Sequence, residues 1–365
     1  MIYNSKFKQI EEIFNNNKTE IVIIDVRSEN EFLEDHIPLA INMPVLTNLE
    51  RAEVGTLYKS NSFEARQLGA RIISKNLPKI LAQIEEISEK TNRKAGHSGK
   101  PNIEFVIYCW RGGMRSRSLF TVMDLIGYKA KLIDGGYKTY RKKINEYFLS
   151  EKIPECVTIY GPSGSGKSEI LKILNEKKFK VLPLETFANH KGSILGGDFL
   201  MQPSQKKFES KIYFFLNHYS CNTYGSKIIV EGESRNIGKL TIPEKLFQKV
   251  LIGENIWIEL PIEERAKRLS EEYVENIEIL IKKVELLKKY ISSDITVKII
   301  ECLKKEDRFH AAYLLLEHHY DVFYKKNSPE RSSKRKYKAV FQEKTFGELK
   351  KCVVSYFENT IQRSL

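Results

Sequence analysis

The sequence predicts an α/β protein with two domains, each built around a parallel sheet. Apolar runs of strand length alternate with segments of helical period, which is typical of layered α/β folds. The alternation occurs twice, on either side of a charged helical stretch, and 365 residues exceed what one ordinary core requires. We therefore expect domains at 1–140 and 155–325, a linker helix at 141–154 and a basic C-terminal segment at 326–365.

The composition favours an anionic partner and a reducing compartment. The formal charge of +13 indicates a surface that attracts polyanions, so nucleic acid is a candidate partner. The five cysteines form no C-x-x-C pair, which predicts neither a disulfide framework nor a zinc site. The N-terminus lacks the apolar core of a signal peptide, and no stretch approaches the roughly 18 apolar residues of a membrane helix. We expect a cytoplasmic protein without a membrane segment.

The first half contains two buried strands with helices around them. The apolar runs Ile21 to Val26 and Ile103 to Tyr108 predict parallel strands. Between them lies a helical segment that we expect Pro78 to interrupt. Residues 117–127 predict a helix stopped by a glycine, and residues 129–140 predict a short strand and a turn.

The second half has the order of a doubly wound sheet with additional helices. Strands are predicted at 156–160, 226–234 and 254–261. A helix follows the first of these strands. Residues 262–291 predict one long helix, and residues 308–326 predict another.

A glycine-rich loop at residues 161–168, the phosphate loop, lies between a predicted strand and a predicted helix. It matches G-x-x-x-x-G-K-[ST], in which backbone amides, the helix N-terminus and the lysine hold phosphate oxygens. We expect a diphosphate to bind to Gly161, Ser163, Gly164, Ser165, Gly166, Lys167 and Ser168. Ser168 would also hold a magnesium ion if one bridges the phosphates. No other metal site is predicted.

Two carboxylates follow the next predicted strand. Glu231 and Glu233 end the run "IIVEGES", where an acid that coordinates a metal or orients water belongs in phosphoryl-transfer enzymes. Their position beside the phosphate loop favours a functional role over two solvated acids at a strand end.

A second loop, the cysteine loop at residues 109–115, also lies between a strand and a helix. Its amides can curl around the Cys109 sulfur, and Arg111 and Arg115 add positive charge. Both effects favour the thiolate, the reactive form of cysteine. The loop is therefore predicted to be a nucleophile inside an anion site.

The upstream stretch "DVRSENEFLEDHIPLAINMP" resembles the rhodanese superfamily signature. The resemblance implies a three-layer rhodanese-like domain with Cys109 as its reactive residue. Asp25, Arg27 and His36 are expected to brace the fold. Two family glycines are replaced by Asp35 and Leu39, and we expect these changes to weaken the local turn.

The cysteine loop is wider than in common sulfurtransferases of that fold. Five residues separate Cys109 from Arg115, whereas those enzymes have four. A wider cradle suits a phosphate-bearing donor, and C-x5-R also occurs in protein phosphatases of similar fold. A phosphatase is therefore the closest alternative, although Tyr108 replaces the usual histidine and no aspartic acid is evident as proton donor for a leaving alcohol.

The pairing of both loops in one chain resembles the tRNA 2-selenouridine synthases along nearly the whole sequence. Further matches are "LETFANHKGSILG", "VEGESRNIGK", "RLSEEYV" and "LLEHHYDVFY". The resemblance implies exchange of sulfur for selenium at C2 of the wobble 2-thiouridine of tRNA. Geranyl diphosphate first alkylates the sulfur, and selenophosphate then delivers selenium. Both are co-substrates, and no tightly bound cofactor is expected.

The resemblance also assigns roles to the two loops. The phosphate loop holds the departing diphosphate of the geranyl donor. Cys109 attacks the selenium of selenophosphate, while the loop holds the phosphate. The selenophosphate-binding residues are Trp110, Arg111, Gly112, Gly113, Met114 and Arg115.

Weaker candidates lie elsewhere in the second half. Asn189 and His190 are in a polar loop that could meet substrate, with His190 as an acid or base, and Arg235 is a candidate phosphate contact. The basic tail after residue 325, with its tyrosines, could hold tRNA phosphates or stack a base.

Three alternatives stay open at this point. The first is a rhodanese-fold phosphatase fused to a P-loop NTPase or kinase, and the second is a plain sulfurtransferase fused to the same domain. The third is a noncatalytic RNA-binding adaptor, which would not need Cys109.

Overall fold

A computed structural model describes residues 7–8, 20–95, 103–190, 201–220, 227–232, 234–272, 276–322 and 336–360. The chain forms two compact units. The first comprises residues 1–150 and 204–214, and the second comprises residues 151–203 and 215–365. This division differs from the predicted domains because a short helical segment from the second half of the sequence packs within the first unit.

The first unit is built on a five-stranded parallel sheet in the order β1-β5-β4-β2-β3. Its strands are Phe7–Lys8 (β1), Glu20–Asp25 (β2), Ile41–Asn42 (β3), Ile103–Tyr108 (β4) and Ala130–Ile133 (β5). The two predicted strands are thus confirmed as β2 and β4, which pair along their whole lengths. Strand β4, which leads to the cysteine loop, is the middle strand of the sheet.

Helices surround this sheet. They are Glu29–Glu34 (α1), Asn48–Ser60 (α2), Ser62–Ala95 (α3), Met114–Ile126 (α4), Gly136–Leu149 (α5) and the start of Gln205–Ser220 (α8). Helix α4 ends at Gly127, as predicted, and that glycine has the left-handed conformation (φ 92°) that favours its residue type.

Helix α3 continues through Pro78, so the predicted interruption is wrong. A proline inside a helix costs about 3 kcal/mol. Ile73 lies before the proline, Ile80 and Ile84 lie after it, and all three are buried in the core of the first unit. Each such side chain contributes about 1.5–3 kcal/mol on burial, which outweighs the local cost.

Charged residues of the upstream signature are buried and paired with one another. Arg27, 1% exposed, donates from Nε and Nη2 to the Asp25 carboxylate and from Nη2 to the Asp35 carbonyl. Its guanidinium lies 4.0 Å from the ring centroid of Tyr137. His36 stacks on Phe32 with 3.8 Å between ring centroids. These contacts brace the fold, as expected for Asp25, Arg27 and His36.

The two replaced glycines have different consequences. Leu39 has φ 69°, in the left-handed region that favours glycine, so a leucine there is strained. Asp35 is extended (φ −168°), a conformation open to any residue, and the expected weakening does not apply to it. Its buried carboxylate instead accepts hydrogen bonds from the Tyr137 hydroxyl at 2.6 Å and the Ser210 hydroxyl at 2.9 Å.

The second unit is also built on a five-stranded parallel sheet, in the order β12-β11-β6-β8-β7. Its strands are Cys156–Tyr160 (β6), Val181–Leu182 (β7), Ile228–Glu231 (β8), Glu254–Glu259 (β11) and Tyr337–Gln342 (β12). A short antiparallel hairpin joins Asn236–Ile237 (β9) to Leu240–Thr241 (β10). Strand β6, which leads to the phosphate loop, is again the middle strand.

The helices of this unit are Lys167–Glu176 (α6), Leu184–Ala188 (α7), Glu244–Ile252 (α9), Ile262–Glu272 (α10), Ile277–Leu286 (α11), Ser293–Lys304 (α12), Arg308–Leu315 (α13) and Phe346–Thr360 (α14). Helices α6 and α14 share one apolar cluster with the sheet, and helices α10 to α13 form a second cluster. None of the helices within the described ranges is long and apolar enough to cross a membrane.

Three segments of the second half differ from expectation. The predicted helix at 262–291 is two helices, α10 and α11, and the Asn276 side chain caps the second of them. Helix α13 leads directly into a π-helical turn, Leu316–Tyr320. Residues 337–342 are not part of a separate basic tail but the edge strand β12, whose alternate residues face the core beside α14.

Asp35 should make the stability of the first unit depend on pH. Burial raises the pKa of Asp35 in the folded protein above its ordinary value, near 4 in an unfolded chain. The folded state therefore holds this proton where the unfolded state has lost it, and stability falls as the pH rises through that window. The Asp35→Asn variant cannot ionise at this position. In urea denaturation, the free energy of unfolding of wild type should therefore increase relative to that of the variant as the pH falls from 7 toward 4. A difference independent of pH would contradict this.

Candidate functional site

The cysteine loop connects the middle strand of the first sheet to helix α4. Strand β4 ends at Tyr108, Cys109 is 3% exposed, and Gly113 is the N-cap of the helix. Gly112 lies in the left-handed region (φ 68°) between them. A left-handed residue in such a turn directs successive backbone amides toward one point, which makes a concave anion site.

A turn at the start of α5 closes the loop from the side. The amide of Tyr137 donates to the Cys109 carbonyl, and the amide of Lys138 donates to the Trp110 carbonyl, both at 2.9 Å. A Cβ on Gly136 would lie 2.3 Å from the Cys109 carbonyl oxygen, so only glycine fits there. This turn was not predicted to have a role, although the glycine pair after β5 is a recognisable turn pattern.

Arg115 is fixed by an ion pair with Glu31. Its Nη1 donates to Oε2 at 2.6 Å, and the pair is partly buried. Burial alone would favour the neutral acid, but the hydrogen bond and charge of Arg115 hold the pKa of Glu31 below its ordinary value. The ionised Glu31 also accepts a hydrogen bond from the amide of Ser28. This network ties the upstream signature to the arginine that closes the loop.

Ser116 and Arg117, which follow Arg115, also contact the loop, and neither was predicted from the sequence. The Ser116 hydroxyl is fully buried and lies 3.2 Å from the Cys109 sulfur and 3.2 Å from the Gly113 carbonyl. Arg117 donates from Nε to the Gly112 carbonyl at 3.2 Å. The first helical turn therefore supplies a hydroxyl donor to the sulfur and a further guanidinium to the rim.

The remaining predicted residues of this loop are at the surface. Trp110 is 37% exposed with its ring centroid 5.2 Å from that of Tyr137, and Met114 is 47% exposed. Arg111 is exposed as well. The loop thus presents a buried sulfur, exposed positive charge and two apolar side chains. This combination can activate a thiolate, hold an oxyanion and contact an apolar or aromatic group.

The phosphate loop connects the middle strand of the second sheet to helix α6. A Cβ on Gly161 would lie 2.3 Å from the Ile258 carbonyl oxygen, so the loop can pass strand β11 only as glycine. Gly164 and Gly166 have φ 80° and 83°, in the left-handed region. The predicted strand-loop-helix context of the motif is therefore present.

The polar side chains of the phosphate loop differ in their contacts. The Lys167 ammonium donates to the Gly161 carbonyl at 2.8 Å and to the Pro162 carbonyl at 3.4 Å, so it lies across the loop. The buried Ser165 hydroxyl has no hydrogen-bond partner among the described residues. Ser163 accepts at its carbonyl from Arg265.

Three oxygen-bearing side chains meet beside the helix that follows. The Ser168 hydroxyl lies 3.3 Å from a Glu231 oxygen and 3.4 Å from a Glu185 oxygen. Glu231 was predicted and Glu185 was not, since it follows a different strand. A hydroxyl and two carboxylates suit magnesium. Glu233 lies outside the described residues, and no cluster of three His, Cys, Asp or Glu occurs within them.

Asn189, His190 and Arg235, the weaker candidates, differ in their contacts with the phosphate loop and the neighbouring carboxylates. The amide of His190 donates to the Glu185 carbonyl at 3.1 Å, which places His190 next to the oxygen cluster, and its buried Nδ1 has no partner in the described part of the chain. Asn189 ends helix α7 in the left-handed conformation (φ 47°) and is exposed. Arg235 pairs with Glu244 at 2.7 Å and makes no hydrogen bond to the phosphate loop where both are described.

Helix α10 places two arginines beside the phosphate loop. Arg265 is 5% exposed and donates to both oxygens of Asp321, at 2.8 and 2.7 Å, and to the Ser163 carbonyl at 3.2 Å. Asp321 directly follows the π-helical turn, so the turn fixes the partner of Arg265. No pattern in the sequence indicates this link.

Arg268 lies one turn further along α10. Its guanidinium is 3.6 Å from the ring centroid of Phe346, and its Nη2 lies 3.2 Å from where a Gly166 Cβ would be. It donates to Glu169 at 2.8 Å, while its buried Nε has no partner among the described residues. Arg268 is therefore a cation next to the phosphate loop, and its Nε–H remains available as a hydrogen-bond donor.

Two family profiles match the two halves of the chain. One described as a rhodanese-like domain matches residues 7–143, and one described as the tRNA 2-selenouridine synthase AAA domain matches residues 154–291. A tRNA 2-selenouridine synthase from Bdellovibrio bacteriovorus is 33% identical over 282 residues, which span 76% of this chain and 70% of that protein. The chain belongs to the tRNA 2-selenouridine synthase family.

Another member of the family, from Nitrosomonas europaea, is 33% identical over 258 residues. The match covers 69% of this chain and a little less than two thirds, 63%, of that protein. The N-terminal domain of an ATP/GTP binding protein from Clostridium difficile 630, known from a crystal structure, is 36% identical in sequence, with a TM-score of 0.31. The match covers 38% of the present chain and 98% of the solved chain. The two family profiles and the two parallel sheets confirm the predicted fold class, a rhodanese-like domain followed by a P-loop domain.

Ser116 should control the reactivity of Cys109. A hydrogen bond contributes about 0.5–1.5 kcal/mol, so removal of the hydroxyl that contacts the sulfur in Ser116→Ala should slow alkylation of Cys109 by iodoacetamide several-fold. Peptide mass spectrometry can follow Cys109 separately from the other cysteines. Ser118→Ala is the matched control, because the Ser118 hydroxyl donates to the Met114 carbonyl on the same helix. Equal alkylation rates in both variants would rule out the Ser116 contact.

Proposed function

We propose that the protein is a tRNA-modifying transferase that replaces sulfur by selenium at C2 of wobble 2-thiouridine, through an S-geranyl intermediate. The observation that carries this proposal is the presence, in one chain of this family, of two strand-loop-helix turns whose backbone and side chains suit an anion. One loop contains Cys109 and the Arg115 that pairs with Glu31, and the other contains Lys167 and no cysteine. Two sites of different chemistry fit two successive steps on one nucleoside.

The phosphate loop serves the first step. The thiouridine sulfur attacks C1 of geranyl diphosphate, the C–O bond breaks, and diphosphate departs with the electron pair. Lys167 and the amides of Gly164 to Ser168 stabilise that departing charge, so no nucleotide hydrolysis is needed. Ser168, Glu185 and Glu231 are the residues that would hold magnesium against the diphosphate.

The cysteine loop serves the second step. Cys109 is the nucleophile toward selenophosphate, and the loop amides with Arg111 and Arg115 hold its phosphate oxygens. Alkylation has already converted the thiocarbonyl into a carbon bearing a thiol leaving group, which selenium then replaces. Trp110 and Met114, which are exposed, would contact the nucleoside or its geranyl chain.

The net charge of +13 supports a tRNA substrate, which in turn implies a cytoplasmic protein. No membrane partner is proposed.

A phosphatase fused to a P-loop kinase is the second candidate, because the Arg115–Glu31 pair and the five-residue loop suit phosphate. Hydrolysis of an aryl phosphate by wild type but not by Cys109→Ser, without any effect on tRNA, would favour it.

Substitutions in the two loops should block the reaction at different steps. With tRNA, geranyl diphosphate and selenophosphate, Cys109→Ala should stop at the S-geranyl nucleoside, because the thiol is needed only for selenium delivery. Lys167→Ala should reduce formation of that nucleoside by at least about a hundredfold, because the departing diphosphate loses its full positive charge. Mass spectrometry of digested tRNA measures both products.

Lys172→Ala, on the helix that follows the phosphate loop, is the control for Lys167→Ala and should retain both products. Formation of 2-selenouridine by Cys109→Ala, or of the geranylated nucleoside by Lys167→Ala at the wild-type rate, would refute this division of labour.

Arg268 should contribute to binding of the geranyl donor. Its guanidinium adjoins Gly166, so Arg268→Gln should raise the KM for geranyl diphosphate about tenfold through loss of a charge-assisted hydrogen bond. Lys267→Ala, an exposed neighbour on the same helix, should leave the KM unchanged. A KM for Arg268→Gln that matches the control would exclude the contact.

A further inference from the structure

The atom that Cys109 attacks can be decided from the electron count of the reaction. The inference rests on the proposed function, since it takes selenophosphate as the donor. If the thiolate attacks selenium, an S–Se bond forms, the Se–P bond breaks and its electron pair stays on phosphorus. Phosphorus then leaves as phosphite, reduced by two electrons. The S–Se bond must later be cleaved by a reductant before selenium can remain on the nucleoside.

The first unit offers no internal source of those electrons. Its sequence, residues 1–150 and 204–214, contains one cysteine, Cys109, so it has no second thiol that could close a disulfide. Attack at selenium therefore requires an external thiol in every turnover.

We propose instead that the Cys109 thiolate attacks the phosphorus of selenophosphate. An S–P bond forms, the P–Se bond breaks, and its electron pair leaves with selenium as hydroselenide. Water then attacks phosphorus and displaces the thiolate, which releases inorganic phosphate. Hydroselenide attacks C2 of the S-geranyl nucleoside, and geranyl thiol departs. No atom changes oxidation state, and water is the only co-reactant besides the substrates.

The geometry of the cysteine loop supports attack at phosphorus. The loop that would hold the anion begins at the cysteine itself: five residues separate Cys109 from Arg115, and Gly112 between them is left-handed. A tetrahedral phosphate whose oxygens bind the loop amides and Arg115 places phosphorus, the central atom, next to the sulfur. The ion pair with Glu31 fixes the position of the Arg115 side chain.

Two further features fit the same route. The Ser116 hydroxyl, 3.2 Å from the sulfur, is placed to stabilise the thiolate when water displaces it from phosphorus. Glu31, the carboxylate at Arg115, is ionised and occupied by hydrogen bonds, so it is not a proton donor for a leaving group. Hydroselenide is a weak base and needs no such donor, unlike the alcohol released by a phosphatase.

The test isolates the covalent product that selenophosphate forms on Cys109. Protein is mixed anaerobically with 32P-labelled selenophosphate, without tRNA or thiol reductant, quenched in alkaline denaturant and digested. The expected result is 32P on the peptide that contains Cys109, no selenium isotope pattern on that peptide, and phosphate but no phosphite by 31P NMR. The isotope pattern is required because a phosphoryl group and a selenium atom add nearly the same mass.

Two variants locate the label. Cys109→Ala should carry none, and Ser118→Ala, whose hydroxyl bonds its own helix, should be labelled like wild type. Selenium on Cys109 together with phosphite in solution would overturn the inference. So would consumption of selenophosphate by wild type without 32P on Cys109.

A parallel reaction with geranylated tRNA separates this inference from the proposed function. If 2-selenouridine forms while selenium, not phosphorus, is found on Cys109, the function stands and the inference fails. If Cys109 is phosphorylated but no 2-selenouridine forms, the phosphoryl intermediate stands and the proposed function fails.

Discussion

Both units depend on one geometric constraint: the middle strand of a five-stranded parallel sheet must end in a loop that opens a helix. Strand β4 leads through the cysteine loop into α4, and strand β6 leads through the phosphate loop into α6. At that position the backbone amides of the loop and the N-terminus of the helix have no partners within the sheet, and they are available to an anion. The two loops differ mainly in the side chain placed there, a thiol in one and an ammonium in the other.

The positive charge at each site is held in place by fixed contacts. Arg115 is paired with Glu31, Arg265 is paired with Asp321, and Lys167 lies on backbone carbonyls. Such contacts reduce the freedom that each cation would lose when an anion binds. They also explain why distant segments of the sequence, the upstream signature in the first unit and the π-helical turn in the second, belong to the sites.

The local motifs could be predicted from the sequence because the residues that form them are adjacent. Strands β4 and β6 and the two loops agree with expectation, and a helix follows each loop, although α4 begins at Met114 and not at residue 117. Pro78 shows where local rules fail, since buried isoleucines on both sides of it outweigh its cost to the helix. The edge strand β12 was missed because its basic neighbours concealed a short alternating pattern. Glu185, Arg268 and the glycine turn at 135–136 reach the sites only through tertiary packing, which no spacing in the sequence reveals.

The most direct test of the account bypasses the first site. tRNA whose wobble 2-thiouridine is already S-geranylated is supplied with selenophosphate, and 2-selenouridine is measured by nucleoside mass spectrometry. The account predicts that Lys167→Ala converts this substrate as wild type does, whereas Cys109→Ala leaves it unchanged. If Lys167→Ala cannot use the geranylated tRNA, the phosphate loop is needed for selenium delivery as well, and the assignment of one loop to each step is contradicted.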